Sequence, residues 1–166
     1  MAARARRYGM GSAALAGLLL PAAALAQTSA SGDGKAQVYS PVQFAVLLEL
    51  EFGSIVANGS GGSVVLDPTA SARDCGTMVC AGSFSWSRLA ISGSDATVEI
   101  SYAPIFYLTG PGEPIGAQLT YPGGSGSQIQ MTGGAAEIQF GAILHVNPGQ
   151  LPGAYSGQFA VDVNYQ

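Results

Sequence analysis

The sequence predicts an all-β protein: an immunoglobulin-like antiparallel β-sandwich that follows a removable N-terminal signal. Two observations predict the sandwich. Short segments of alternating apolar and polar residues recur along the chain, and no stretch after the N-terminal region keeps the period of an amphipathic helix. Glycine- and serine-rich turns separate these segments about every ten residues, which is the spacing of a sandwich or barrel. We therefore expect about seven to nine strands.

The first 26 residues have the pattern of a secretory signal peptide. Three arginines precede an apolar run, 13–20, that is too short to span a bilayer. The small residues Ala24 and Ala26 then predict cleavage between Ala26 and Gln27. A retained membrane anchor is the alternative interpretation. We expect a mature chain without a transmembrane segment, exported to the periplasm, the cell surface or the extracellular space.

Cleavage leaves a flexible polar tail, residues 27–37, and one domain, residues 38–166. The full chain has 6 basic and 10 acidic residues. All of the acidic residues lie after the cleavage point, whereas three arginines are removed with the signal, so the mature protein is markedly acidic. Nucleic acid and anionic lipid both require a basic surface, so we expect neither as a partner.

The domain begins with a segment, 38–46, in which Pro41 requires an edge position or a break. Next, Leu48, Leu50 and Phe52 alternate with acidic residues, as in a half-buried strand. Further candidate strands lie at 63–67, 83–86, 89–92, 96–102, 118–121, 128–131, 138–146 and 155–165. The predicted core consists of Leu50, Phe52, Ile55, Val64, Leu66, Ile91, Val98, Ile100, Ile138, Phe140, Leu144, Tyr155, Phe159, Val161 and Val163.

The chain contains two cysteines, Cys75 and Cys80, separated by four residues. In an exported protein such a pair predicts a disulfide, which clamps a loop or hairpin end and contributes about 2 kcal/mol. A metal site is the alternative, but it lacks a second cysteine pair, and the one histidine, His145, is distant in sequence. We expect no metal and no cofactor.

No motif indicates catalysis. The chain has no Gly-x-Ser-x-Gly nucleophile elbow, and His145 lies in a strand pattern without a partner that would orient it. Glu49 and Glu51 resemble a carboxylate pair but occupy the polar side of a strand. We therefore predict that the protein is not an enzyme. Six aromatic residues are candidates for a ligand platform, with core packing as the alternative: Phe84, Trp86, Tyr102, Phe106, Tyr107 and Tyr121.

Several segments resemble one family of exported proteobacterial proteins. Residues 50–56, 62–68 and 91–93 resemble the first half of the "domain of unknown function 4402" family, and residues 140–146 and 153–165 resemble its closing strands. That family is similar to the spore coat U and chaperone–usher pilin group, whose subunits end on a strand with a tyrosine one residue from the C-terminus. Tyr165 matches that position. The resemblance implies a pilin-like fold, a structural or adhesive role, and other pilin-like subunits or a periplasmic chaperone as partners.

The last strand is the predicted assembly element, because no later strand follows it to cover its outer edge. Its alternating residues are Tyr155, Gly157, Phe159, Val161, Val163 and Tyr165. The polar tail cannot fill an apolar groove, whereas segment 38–46 can pair either within its own chain or with a neighbour. We expect a secreted pilin- or fimbrial-like surface subunit. The alternative is a self-complete monomeric binding module for a carbohydrate or another ligand.

Overall fold

The computed structural model describes residues 30–166, which form antiparallel β-sheets and contain no helix. The predicted all-β sandwich is confirmed for this part of the chain, and the predicted signal peptide lies outside the described residues. Residues Gln37–Gln166 form one compact unit. The strands are β1 Gln43–Leu48, β2 Ser54–Val56, β3 Gly62–Asp67, β4 Ala72–Asp74, β5 Val79–Ala81, β6 Ser87–Ser92, β7 Thr97–Tyr102, β8 Ile105–Leu108, β9 Ile115–Thr120, β10 Ser127–Gln130, β11 Ala135–Val146 and β12 Val161–Tyr165.

The long strand β11 organises the larger sheet, which has seven strands. Its first half pairs with β6, which in turn pairs with β1, and its second half pairs with β3 and β9. Gly141 lies where β11 changes partner. A Cβ there would overlap the Leu66 carbonyl oxygen, so the close approach of the strands requires glycine.

A smaller sheet, in the order β10–β7–β12, packs its inner face against the larger one. Its central strand contributes Val98 and Ile100, which are fully buried. Between the sheets the Phe140 ring contacts three aromatic rings, those of Tyr102, Tyr121 and Phe159, with centroids 5.3, 5.2 and 6.1 Å away. Most of the aromatic residues considered for a ligand platform therefore pack in or against the core.

The predicted core is confirmed for the strands that have neighbours on both sides, but not for one side of the sandwich. The buried predicted residues are Phe52, Val64, Leu66, Ile91, Val98, Ile100, Ile138, Phe140 and Leu144. The remaining predicted residues pack against this core but are only half-buried, namely Leu50, Ile55, Tyr155, Phe159, Val161 and Val163. Several buried residues were not predicted, including Met78, Leu89, Phe106, Ile115, Leu119 and Met131.

The strand predictions need two corrections. Twelve strands are present in residues 30–166, more than the seven to nine expected, because β2, β4 and β5 have only three residues each. The last strand is Val161–Tyr165 and does not include 155–160, where only Ser156 forms an isolated bridge, to Thr109. Gly157 packs directly on the backbone of Tyr107, where an added Cβ would overlap the Tyr107 carbonyl oxygen.

The predicted disulfide between Cys75 and Cys80 is confirmed. It closes the turn between β4 and β5, in which the Met78 amide donates to the Cys75 carbonyl at 2.9 Å. Beside it, the Arg73 guanidinium donates to the carbonyl oxygens of Phe52 and Ala81 at 2.9 and 3.3 Å. The disulfide and Arg73 together hold the short β2–β5 ribbon to the sandwich.

Replacing both cysteines, as C75S/C80S, should lower the free energy of unfolding by about 2 kcal/mol, because the bond closes only a short loop of the unfolded chain. Urea unfolding of this variant and of the oxidised parent protein measures the difference. Mass spectrometry after thiol blocking first establishes that the parent carries no free thiol. Equal stability of variant and parent would show that the turn is held by its hydrogen bonds alone.

Candidate functional site

The edge strand β1 exposes apolar side chains on the inner face of its sheet. Phe44 lies opposite Ile91 and Val46 opposite Leu89 in the β1–β6 ladder. Opposed residues of an antiparallel pair point to the same face, and both β6 residues are buried in the core. Phe44 and Val46 nevertheless remain 46% and 64% exposed. The smaller sheet therefore does not extend far enough to cover β1.

The edge strand β12 of the smaller sheet is also incompletely covered on its inner face. It pairs with β7 and with no other described strand. Val163 lies opposite Ile100, and Tyr165 lies opposite Val98. Both β7 residues are fully buried, whereas Val163 and Tyr165 are only half-buried. Both sheets thus end with an inner face that is incompletely covered.

The two edges lie on the same side of the sandwich, because Tyr165 joins them. Its ring stacks on Tyr39, with centroids 4.6 Å apart. Its hydroxyl donates to the Ser40 carbonyl oxygen at 2.8 Å and accepts from the Ser94 amide at 2.7 Å. We call Tyr39, Ser40, Ser94 and Tyr165 the tyrosine clasp. The clasp fixes the chain entering β1 against the end of β12.

A groove of about 1420 Å³ lies on this open side, between residues 46–57 and residues 150–159. Core side chains form its floor, namely Leu89, Phe106, Ile115, Leu144 and Val146. The charged residues of its lining are Glu49 and Glu51, both exposed. The groove therefore lies over core side chains that are at most 8% exposed, with two acidic groups on one wall.

Tyr155 positions the second wall. Its hydroxyl accepts hydrogen bonds from the Gly112 amide and from Gln150 Nε2, both at 2.9 Å, and donates to the Leu151 carbonyl oxygen at 2.8 Å. A Cβ at Gly110 would come within 2.6 Å of the Tyr155 ring, so this contact requires glycine. The residue predicted as part of an assembly strand is instead an anchor for the loops beside the groove.

All six residues of the predicted assembly strand lie along the open side. Tyr155, Gly157 and Phe159 line the groove, and Val161, Val163 and Tyr165 belong to β12. Of the floor residues, Phe106 in β8 was among the aromatic residues considered for a ligand platform, whereas Ile115 in β9 was not predicted.

The groups with shifted pKa values lie away from the groove. Hydrogen bonds from the Thr69 hydroxyl and amide, at 2.6 and 2.8 Å, lower the pKa of Asp67 in a surface turn. A hydrogen bond from Arg88, at 2.8 Å, lowers the pKa of Glu137 on an exposed face. Within residues 30–166 there is no cluster of three or more potential metal ligands. The chemistry that the groove offers is apolar contact and backbone hydrogen bonding.

Comparison with known proteins identifies the family. Residues 42–165 match the model described as "Domain of unknown function (DUF4402)". The chain belongs to this family. The match covers β1 to β12, and therefore both edge strands and all residues that line the groove. No curated protein and no solved structure matches the chain. None of the described residues forms a helix long and apolar enough to cross a bilayer.

Replacing Tyr155 with phenylalanine should lower the free energy of unfolding by about 1–2 kcal/mol, because the Gly112 amide and Gln150 lose their acceptor. Chemical unfolding measures the effect. The matched control is Tyr107→Phe, since the Tyr107 side chain is 60% exposed and its variant should keep the parent's stability. Equal effects of the two substitutions would contradict the anchoring role of Tyr155.

Proposed function

We propose that the protein is an exported, non-enzymatic structural or adhesive subunit of a surface assembly, similar to a pilin, whose open side receives an extended strand from another chain. The observation that carries the proposal is the exposure of Phe44 and Val46 on the inner face of the larger sheet. A finished sandwich covers that face, and here it is open to solvent.

An added strand meets both requirements of the open side. Its backbone pairs with the free N–H and C=O groups of an edge strand, as in other cases of strand addition. Its alternate side chains enter the groove and contact the apolar floor. Each apolar side chain buried in this way contributes about 1.5–3 kcal/mol. A helix or a globular surface cannot pair with the edges in this way.

The chemistry of the donor follows from the groove. The inserted segment alternates apolar with polar residues, as a subunit or a chaperone strand of pilin-like assemblies does. The described part of the tail, residues 30–37, has the sequence Ala-Ser-Gly-Asp-Gly-Lys-Ala-Gln, which does not alternate in this way. We therefore favour a donor segment outside residues 30–37.

One observation favours the second candidate, a self-complete binding module. Segment 43–48 already pairs with β6 of its own chain, and the tyrosine clasp holds the residues that precede it. In that case the groove is the binding site for an apolar ligand. Tyr107 is a separate exposed aromatic residue, on the outer face of β8.

A strand peptide tests the proposal. The probe is a synthetic peptide of about nine residues that alternates valine with serine or threonine, long enough to follow one edge. It should bind one-to-one with a dissociation constant of about 1 μM or lower, measured by calorimetry. A peptide of the same composition with its valines grouped together is the control and should not bind.

Two variants test whether the peptide binds in the groove. Val56 lines the groove and is 62% exposed, whereas its cross-strand neighbour Val79 is 64% exposed and lies outside the lining. Val56→Lys should weaken binding of the alternating peptide about tenfold or more, since a lysine charge cannot be buried beside the strand at low cost. Val79→Lys should bind like the parent. No binding of either peptide would refute strand acceptance.

A further inference from the structure

β1 lacks most of the features that keep an edge strand from pairing with another chain. Its sequence, Gln-Phe-Ala-Val-Leu-Leu, contains no charge and no proline. A register shift between Val46 and Leu48 is the one protective irregularity. All six residues are exposed, with apolar side chains on both faces. Such an edge is a template for a strand of the same kind.

We propose that β1 pairs with β1 of a second copy of this chain, antiparallel and about a two-fold axis, so that the isolated protein is a dimer with one continuous sheet. The proposal goes beyond the function above, because it concerns the state of the chain before any donor strand arrives. The second copy brings its own Phe44 and Val46 beside the exposed Phe44 and Val46 of the first, so that these side chains contact one another across the new pair.

In one register the inner-face side chains of the two copies lie opposite each other. With Ala45 opposite Ala45 of the second copy, Phe44 of each copy lies opposite Val46 of the other. An even register of this kind keeps inner faces together, since side chains alternate along a strand. Aromatic and β-branched residues are favourable cross-strand neighbours, and the small Ala45 side chains fit at the axis.

Charge also selects the antiparallel arrangement. Glu49 and Glu51 follow β1 directly. In the proposed register they lie opposite Pro41 and Tyr39 of the second copy, so no carboxylate faces another. A parallel pair would instead place Glu49 beside Glu49, and directly opposed like charges are destabilising. Repulsion between carboxylates is therefore smaller in the antiparallel two-fold pair than in a parallel pair.

Cysteine cross-linking tests the axis. In the variant Ala45→Cys, the two Cα atoms should lie about 4.5–5.5 Å apart, within the range that a disulfide bridges. Mild oxidation should give a covalent dimer that reductant reverses. The control is Gln43→Cys, whose two copies should lie about 13 Å apart and stay unlinked. Efficient linking of both variants, or of neither, would overturn the register.

Sedimentation equilibrium over a concentration series tests the dimer without cross-linking. Val46→Lys should raise the dimer dissociation constant about tenfold or more. At a concentration at which both proteins are monomeric it should keep the parent's unfolding midpoint, because the side chain is 64% exposed in one copy. Val79→Lys, of equal exposure, should leave the dimer intact. A parent that stays monomeric, or a Val46→Lys dimer as tight as the parent's, would overturn the inference.

Adding the alternating valine peptide separates this inference from the proposed function. If both hold, each chain binds one peptide. The dimer then dissociates if the peptide occupies β1, or persists with two peptides if it occupies β12. Peptide binding to a parent protein that is already monomeric would overturn the dimer and leave strand acceptance in place. A dimer that binds no peptide at any concentration would refute strand acceptance and leave the dimer in place.

Discussion

The structure depends on a mismatch between the two layers of the sandwich on one side. The larger sheet ends in β1 with inner-facing Phe44 and Val46, while the smaller sheet ends in β12 before it covers them. Burial of apolar surface is the main stabilising term in folding, so an uncovered inner face is costly for a chain of this size. The groove and its apolar floor follow from this mismatch.

The remaining elements hold the open side in shape. The tyrosine clasp ties the start of β1 to the end of β12, and Tyr155 fixes the loops of the opposite wall. The disulfide and Arg73 secure the β2–β5 ribbon, which contributes Val56 to the groove. These contacts are polar or covalent, and they compensate locally for apolar packing that is missing at this edge.

Alternation in the sequence was sufficient to predict the strands with neighbours on both sides, such as those of Val64, Leu66 and Ile91. It could not predict how far the opposite sheet extends, which decides whether Phe159 or Val163 is buried. Nor did it reveal the role of Tyr155. A tyrosine at an apolar position of an alternating segment fits a strand, and the pattern carries no information about the loop groups that bond to its hydroxyl. Cys75 and Cys80 were predictable because their spacing and the expected export point to the same bond.

Amide hydrogen exchange of β1 and β12 tests the central claim most directly, when it is measured with and without the alternating peptide at a protein concentration at which the peptide-free chain is monomeric. Amides that point away from β6 and β7 have no partner strand among residues 30–166 of the same copy. If an added strand completes the sandwich, the amides on one of these two edges should become strongly protected when the peptide binds, while those already paired change little. Unchanged exchange on both edges of a peptide-saturated protein would contradict the account.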